Sequence, residues 1–252
     1  MIGSRRPLIA GNWKMHCTIG EARALARALR ELPVAPGVDV VVCPPFTALA
    51  AVASELAGSA IAVGGQNVHE APSGPYTGEI SPAMLSDAGA QYCIVGHSER
   101  RASFGENDDA VNRKVRALIE IGTVPIVAVG ETRSEHEDGQ AIAKVTAQAR
   151  MAFASVAPED VARCVVAYEP IWAIGTGLSD TPANADRTIG EIRASVLGLS
   201  GARLLYGGSM KPENAGALMN ESNIDGGLIG GASLLPDGFS AIIRYAHAAQ
   251  AV

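Results

Sequence analysis

Four polar side chains with complementary chemistry stand at or shortly after the ends of short apolar runs. Asn12 and Lys14 follow the run LIAG, His97 follows CIVG, and Glu169 follows VVAY. A carboxylate can take a proton from carbon, an imidazole can donate to a carbonyl oxygen, and an ammonium group can hold an anion. These residue types together predict proton abstraction next to a carbonyl group, with no metal required.

An anionic substrate is indicated by Lys14 and by two glycine pairs. The chain has only four lysines, and Lys14 lies between Trp13 and Met15, which is a poor setting for a purely solubilising charge. Gly207-Gly208, followed by Ser209, and Gly230-Gly231 end two later apolar runs. Glycine lets the backbone approach a ligand closely, and exposed N–H groups at a helix N-terminus bind anions. The pattern predicts a phosphate site.

His97 is expected to be a neutral imidazole. It stands in IVGHSER, where an apolar run gives way to a helical pattern, and the dipole at a helix N-terminus disfavours a positive charge. The sequence has no second histidine at metal-ligand spacing and no His/Cys cluster. No metal site is therefore predicted.

Short apolar runs recur eight times along the chain and are the elements that must position these side chains. They are PLIAG, VDVVVC, AIAVGG, QYCIVG, VPIVAVG, RCVVAY, ARLLYGG and GGLIGG. Nearly continuous apolar strands are typical of a parallel sheet buried on both faces. With helical patterns between them, they predict one α/β domain over residues 1–252, a closed, parallel eight-stranded (β/α)8 barrel whose chemistry collects at the carboxyl ends of the strands. The alternative fold is a doubly wound open sheet, which requires a Gly-rich fingerprint after the first strand.

Helix signals fill the gaps between these runs. Thr18 to Glu21 reads as a capping box, and Ser81-Pro82 places proline at a first helical turn. Further helical stretches are predicted at 107–120, 134–155, 184–197 and 239–249.

Composition excludes several classes of protein. The formal net charge is -6, so no basic face indicates nucleic acid or an anionic membrane. Four widely spaced cysteines without a C-x-x-C pair favour a reducing compartment over a disulfide framework. No apolar run approaches the roughly 18 residues of a membrane span. A soluble cytoplasmic protein is expected.

Five motifs together resemble the triosephosphate isomerase family across essentially the whole chain. They are AGNWKM, GHSERR, AYEPIWAIGTG, YGGSMKPEN and DGGLIGGASL, in this order. The resemblance implies interconversion of dihydroxyacetone phosphate and glyceraldehyde 3-phosphate, without a cofactor, in a homodimer. It implies that Glu169 is the base, that His97 is the neutral electrophile, and that Lys14, with Asn12 beside it, binds the phosphate and stabilises the enediolate.

The same resemblance implies further roles around this site. Backbone N–H groups near Gly175, Ser209, Gly230 and Gly231 should hold the phosphate. Glu99 should pair with Lys14, and Ser98 should hold Glu169 when the site is open. Ile174 and Leu228 look like the apolar pair that closes over Glu169, and residues 173–177 look like a lid.

Three departures from the family pattern bear on assembly and on the lid. His16-Cys17 replaces the usual Asn-Gly, where the partner's loop, Gln66 to Glu79, should dock and deliver Thr77. We expect the dimer to survive with Cys17 near its interface. Ala128 replaces a common cysteine, with an effect on packing at most. Leu178-Ser179-Asp180 replaces the commoner Lys-Thr-Ala at the far hinge of the lid.

Three other functions are weighed against this interpretation. A Schiff-base aldolase would need Lys14 as its nucleophile, whereas the sixth strand offers Glu169. A non-catalytic relative tends to lose a catalytic residue, and all four are present. An isomerase of a related sugar phosphate, such as a tetrulose phosphate, would present a similar phosphate site.

Overall fold

Eight parallel strands close into a barrel in chain order. The computed structural model describes residues 5–32, 34, 37–174 and 179–248. The strands are β1 (Leu8–Asn12), β2 (Asp39–Cys43), β3 (Ile61–Gly65), β4 (Tyr92–Val95), β5 (Val124–Val129), β6 (Val165–Tyr168), β7 (Arg203–Tyr206) and β8 (Gly226–Ile229). Each pairs with its neighbour in parallel, and β1 pairs with β8 to close the ring. The predicted (β/α)8 barrel is confirmed, and the open doubly wound sheet is wrong.

Helices surround this barrel. Within the described residues they are α1 (Ile19–Arg30), α2 (Phe46–Leu56), α3 (Pro82–Asp87), α4 (Ser98–Phe104), α5 (Asp108–Glu120), α6 (Arg133–Glu137), α7 (Ala141–Ala152), α8 (Pro158–Val161), α9 (Pro182–Ser195), α10 (Pro212–Met219) and α11 (Pro236–Ala248). Short 3₁₀ helices follow β6 at Ile171–Ala173 and β8 at Gly231–Leu234.

Local sequence signals account for where several helices begin. The predicted capping box at Thr18 forms in full, with the Glu21 side chain returning to the Thr18 N–H. Ser81 caps α3, whose first residue is Pro82. The single stretch predicted at 134–155 is wrong, because α6 and α7 are separate helices. Gly139 lies between them with φ of +71°, a conformation that ends a helix.

Alternating strand residues pack into two cores. One face of β1, with Leu8 and Ala10, joins Val41, Ile94 and Leu205 inside the barrel. The other face, with Ile9, packs outward against the helices. Because both faces of each strand are buried, polar side chains are pushed to the strand ends. The barrel therefore gathers them at one rim.

Two further observations concern the whole described chain. Among the described residues, no helix is long and apolar enough to cross a membrane. Ala128 is fully buried in β5, which agrees with an effect on packing alone.

Candidate active site

A cavity of about 580 Å³ opens at the carboxyl ends of the strands. Its walls include nine of the residues predicted for the site: Asn12, Lys14, His97, Glu169, Ile174, Ser209, Leu228, Gly230 and Gly231. These residues follow or end β1, β4, β6, β7 and β8, so they are distant in sequence and the barrel brings them together. Gly175 and Leu178 lie outside the described residues.

Glu169 and His97, which both line this cavity, are in direct contact. Glu169 follows β6, and its own N–H donates to the Val129 carbonyl of β5. Its Oε1 lies 2.9 Å from Nε2 of His97, and its Oε2 accepts the Ser98 N–H at 2.9 Å. The Glu169 side chain is 2% exposed. Ser98, the first residue of α4, thus holds the carboxylate in the arrangement described.

The hydrogen bonds of the His97 ring fix its tautomer. Nδ1 accepts the Glu99 N–H at 3.2 Å, so a neutral ring carries its proton on Nε2. Nε2 is the nitrogen that faces Glu169 and the cavity. His97 is the N-cap of α4, as its place in GHSERR predicted.

Glu169 and His97 shift each other's pKa in opposite directions. Burial raises the pKa of Glu169, but the neighbouring His97 and the Ser98 N–H more than offset this and hold it below its ordinary value. Burial lowers the pKa of His97, and the Glu169 carboxylate outweighs this, so the pKa is raised. The Glu169 carboxylate 2.9 Å away therefore opposes the effect of the helix N-terminus on His97, while the Glu99 N–H bonded to Nδ1 suits the neutral ring. A neutral His97 stays a prediction.

Lys14 is held in a conformation that few residues adopt. Its φ is +50°, in the left-handed region that costs an L-residue about 1–2 kcal/mol. Its N–H donates to Asn12 Oδ1 at 3.0 Å, and its carbonyl accepts from Gln66 Nε2 at 2.8 Å. The same Gln66 nitrogen donates to the Cys43 carbonyl at 2.8 Å. Asn12 and Gln66 together stabilise the strained turn that presents Lys14.

The Lys14 ammonium group is paired with Glu99. Nζ lies 2.5 Å from Glu99 Oε1, with the lysine side chain 27% exposed. Since Glu99 is near the start of α4, which follows β4, this ion pair joins the segment after β1 to the segment after β4. Glu99 thus contacts two parts of the site, Lys14 through its carboxylate and His97 through its N–H.

The backbone is uncrowded on the side of the cavity formed by the ends of β7 and β8. A Cβ on Gly231 would meet nothing within 4 Å among the described atoms, and one on Gly230 would meet only Lys14 Cε at 3.5 Å. Gly231 opens a 3₁₀ helix, whose first N–H groups have no partner within the helix. The arrangement suits an oxyanion placed near Lys14.

Glycines also clear the space around Glu169. A Cβ on Gly130 would lie 2.1 Å from the Glu169 carbonyl oxygen. A Cβ on Gly207 would lie 3.0 Å from Glu169 Cγ. Glycine is therefore required at Gly130, and a larger residue at Gly207 would force Glu169 to shift.

The remaining predicted residues lie around this cavity or apart from it. Ile174 and Leu228 both line the wall. Ser98 and Glu99 do not line the cavity. Ser98 contacts Glu169 and Glu99 contacts Lys14. Thr77 is exposed in the loop between β3 and α3, away from this cavity. No group of three or more His, Cys, Asp or Glu residues in the described ranges is arranged to hold a metal ion.

Three supporting contacts have no part in the sequence-based prediction. Gln66 begins the predicted docking loop, but its bond to the Lys14 carbonyl was not expected. Gln148 of α7 accepts the Gly130 N–H at 2.8 Å, and Tyr206 accepts the Asp180 N–H at 3.2 Å. Neither lies in a recognisable motif, so only the three-dimensional arrangement reveals them.

A buried carboxylate touching an imidazole, with a lysine and open glycine backbone beside them, defines a (β/α)8-barrel enzyme that works by proton transfer. The sequence profile of triosephosphate isomerase matches residues 7–246. The chain belongs to the triosephosphate isomerase family.

Relatives named triosephosphate isomerase match over almost their whole length. The chain is 51% identical to that of Chloroflexus aurantiacus over 248 residues, covering 96% of this chain and 99% of the relative. It is 49% identical to that of Symbiobacterium thermophilum over 254 residues, covering 98% and 99%. It is 48% identical to that of Roseiflexus sp. (strain RS-1) over 249 residues, covering 96% and 98%.

Proposed function

We propose that the protein interconverts dihydroxyacetone phosphate and D-glyceraldehyde 3-phosphate through an enediolate intermediate. Membership of the triosephosphate isomerase family supports this reaction over that of a tetrulose phosphate. The observation that carries the proposal is the contact between Glu169 and His97 beside Lys14. It supplies a base, a hydrogen-bond donor and a cation on one cavity wall.

Glu169 is the base that moves the proton between the two carbons. Its lowered pKa keeps it ionised at neutral pH while it contacts His97 and Ser98. When it leaves Ser98 and turns to a bound substrate, it loses an N–H donor and an imidazole partner. Both losses raise its pKa and make it a stronger base at the moment of reaction.

His97 and Lys14 stabilise the negative charge that develops on the substrate oxygens. Nε2–H of His97 is free to donate to a carbonyl oxygen once Glu169 turns away, because Nδ1 stays fixed by the Glu99 N–H. The Lys14 ammonium group neutralises the enediolate, and Asn12 keeps the Lys14 backbone in place. Fixed donors of this kind act without reorganisation during the reaction.

The phosphate group is held on the β7 and β8 side of the cavity. Gly230 and Gly231 offer close backbone approach, Ser209 lines the same wall, and Gly175 is proposed to complete the site. Ile174 and Leu228 exclude water over Glu169, which limits loss of phosphate from the enediolate. No cofactor is needed for these steps.

A coupled assay on triose phosphates and on tetrulose phosphates tests the reaction. We expect the larger kcat/KM for the triose. A larger value for the tetrulose would overturn the substrate assignment. Trapping of a borohydride-reducible adduct on Lys14 would instead support an aldolase.

We also propose a homodimer in the cytoplasm, formed through the loop Gln66 to Glu79. Large exposed apolar side chains follow three adjacent strands: Met15 after β1, Phe46 after β2, and Tyr76 and Met84 after β3. They therefore lie on one side of the rim. Met15 is 94% exposed. Contact of this apolar side chain with water is unfavourable, and a partner subunit would bury it.

The loop Gln66 to Glu79 is packed well enough to act as a docking element. The His69 and Tyr76 rings stack with centroids 4.0 Å apart, and the His69 N–H donates to Ile80 O at 2.8 Å. Glu70 joins it to α5 through Arg113 at 3.0 Å. A preformed loop loses little conformational entropy on docking. Thr77 at its exposed turn is proposed to reach the partner's site.

Sedimentation velocity tests this assembly. Met15→Glu should convert the dimer to a monomer, whereas Leu197→Glu, which changes an exposed leucine near the opposite rim, should leave the dimer intact. A monomeric wild-type protein would overturn the proposal. Modification of the Cys17 thiol should weaken the dimer in the wild type and not in Cys17→Ser; equal weakening in both would place Cys17 away from the interface.

A further inference from the structure

Asn214, the third residue of α10, bonds to two backbone groups of the cavity wall that follows β7. Its Oδ1 accepts the Lys211 N–H at 2.8 Å, and its Nδ2 donates to the Ser209 carbonyl at 2.9 Å. Ser209, Met210 and Lys211 all line the active-site cavity, whereas Asn214 does not. One side chain outside the cavity therefore fixes the two peptide groups on either side of Met210.

The bond to Ser209 sets the direction of the Met210 N–H. The peptide group between these two residues is trans, so it is planar and its C=O and N–H point in opposite directions. Since the Ser209 carbonyl points at Asn214, the Met210 N–H points away from Asn214. Among the described residues, neither this N–H nor the N–H of Ser209 has a hydrogen-bond partner. Both are available to a ligand.

The segment that carries these donors is anchored along its length. At its start, the Gly207 N–H donates to the Tyr168 carbonyl of β6 at 2.7 Å. In its middle, the Met210 side chain packs over Gly227 of β8, where an added Cβ would lie 2.8 Å from the methionine Sδ. The two bonds of Asn214 hold its end. Donors fixed in this way need no reorganisation when an anion binds.

The β8 side of the cavity shows the same arrangement. The Gly230 carbonyl accepts the Ser233 N–H at 2.9 Å and the Ser233 hydroxyl at 2.7 Å, and Ser233 is completely buried. The next N–H, that of Gly231, has no partner within the part of the chain that the structure describes. Each loop thus binds one carbonyl and leaves the following N–H unpaired. Exposed backbone N–H groups of this kind form anion-binding concavities.

We propose that Asn214 is a positioning residue for phosphate: it holds the Ser209 carbonyl away from the cavity, so that the Met210 N–H joins the Ser209 N–H as a phosphate donor. A carbonyl oxygen that faced the phosphate would repel it, whereas an N–H donates to it. Without Asn214, the peptide group between Ser209 and Met210 can rotate between these orientations. The effect on catalysis rests on the proposed isomerase function, whereas the effect on phosphate binding does not.

Substrates with and without phosphate separate this role from a merely structural one. Asn214→Ala should lower kcat/KM for D-glyceraldehyde 3-phosphate at least about tenfold, the factor expected when one hydrogen bond to a charged group is lost. The kcat/KM for unphosphorylated D-glyceraldehyde should stay at the wild-type value, because that substrate makes no use of the phosphate donors. Equal losses on the two substrates would overturn the proposal.

Asn220→Ala is the matched control for these measurements. Asn220 is exposed and follows the last residue of the same helix, α10. Its side chain makes no hydrogen bond among the described residues. This variant should keep the wild-type kcat/KM on both substrates. A loss like that of Asn214→Ala would mean that α10 tolerates no such change, and it would overturn the specific role of Asn214.

Nitrogen-15 NMR of the methionine-labelled protein observes the proposed donor directly. The chain has six methionines, and Met210→Leu assigns the Met210 amide signal. Inorganic phosphate is the probe. Its addition should shift the Met210 amide proton downfield in the wild type and in Asn220→Ala, and should leave it unshifted in Asn214→Ala. A wild-type Met210 signal that ignores phosphate would overturn the proposal, as would an equal shift in Asn214→Ala.

These outcomes remain distinct from failure of the proposed function. A protein without isomerase activity whose Met210 signal responds to phosphate only when Asn214 is present would refute the reaction and leave the positioning intact. An active protein whose Met210 signal ignores phosphate would refute the positioning alone. If Asn214→Ala fails to fold, the titration of the wild type with phosphate still decides.

Discussion

Glu169 Oε1 and His97 Nε2 lie 2.9 Å apart, although one residue follows β6 and the other follows β4. The contact exists because strands two places apart in a closed barrel end at the same rim. It also means that the proposed base and the proposed electrophile engage each other. A substrate that uses both must therefore separate them.

Glu169→Gln should abolish most of the activity while substrate analogues still bind. The amide keeps the size of the side chain but cannot accept a proton from carbon, so kcat should fall by at least about 10²–10⁴. Glu159→Gln, which changes an exposed glutamate of α8, serves as the control. A loss of less than about tenfold would mean that Glu169 is not the base.

The Glu169–His97 pair should contribute to stability in a limited pH window. The lowered pKa of Glu169 gives a contribution present above about pH 4.3 and lost as pH falls through the folded-state pKa. The raised pKa of His97 gives one present below about pH 6.5 and lost as pH rises through the folded-state pKa. The difference in unfolding free energy between wild type and His97→Asn should therefore peak between these values.

Urea denaturation of both proteins across the pH range measures this difference. The wild type should gain most over His97→Asn between these two pH values, and the difference should shrink on either side of them. A difference that stays constant from pH 4 to 9 would contradict the mutual pKa shifts.

Gly231→Ala should impair substrate binding without affecting the fold. An added Cβ meets nothing within 4 Å in the described structure, so the melting temperature should stay within about 2 °C. The methyl group would nevertheless occupy the space where a phosphate approaches the backbone, so KM should rise at least tenfold. Gly20→Ala, which is equally uncrowded in α1, is the matched control. An unchanged KM would place the phosphate elsewhere.

Cys17→Gly should be more stable than Cys17→Ala. Cys17 has φ of +75°, which costs a residue with a Cβ about 1–2 kcal/mol. Glycine removes that cost but loses about 0.5–1 kcal/mol through the greater backbone entropy of its unfolded state. The unfolding free energy of Cys17→Gly should therefore exceed that of Cys17→Ala by several tenths of a kcal/mol. Thermal unfolding of the two variants decides the order, since both lose the sulfur. If Cys17→Ala were the more stable variant, the backbone of residue 17 would not be strained.

The Cys17 thiol should react slowly with alkylating reagents. Burial raises the pKa of Cys17, and the nearby Glu21 adds to the rise. A higher pKa leaves less thiolate at neutral pH, and the thiolate is the nucleophile. Mass spectrometry after iodoacetamide at pH 7 and pH 9 should find much faster labelling at the higher pH. Equal rates at the two values would contradict the raised pKa.

The sequence predicts the barrel well because its signals are local and repeated eight times. All eight apolar runs are strands, and capping residues such as Thr18 and Ser81 begin their helices as expected. The stretch at 134–155 was misjudged because helical propensity on both sides of Gly139 hid a break that depends on one dihedral angle.

The wall of the cavity was also accessible from sequence, whereas its supports were not. Residues at strand ends must meet in this fold, so Glu169, His97 and Lys14 could be grouped from their positions alone. Contacts such as Gln66 with Lys14 or Gln148 with Gly130 depend on rotamers and on loops from other units. The opposing pKa shifts of Glu169 and His97 also depend on a contact distance that no motif encodes.

The ion pair of Lys14 with Glu99 has a consequence for how substrate is captured. A cation already matched by a carboxylate at 2.5 Å projects little field into the solvent, and the chain as a whole is negative, at -6. We therefore expect that a dianionic sugar phosphate is not steered from a distance and must compete with Glu99 for the ammonium group once it reaches the cavity. Ionic strength should then alter the rate of capture far less than in an enzyme with a basic funnel.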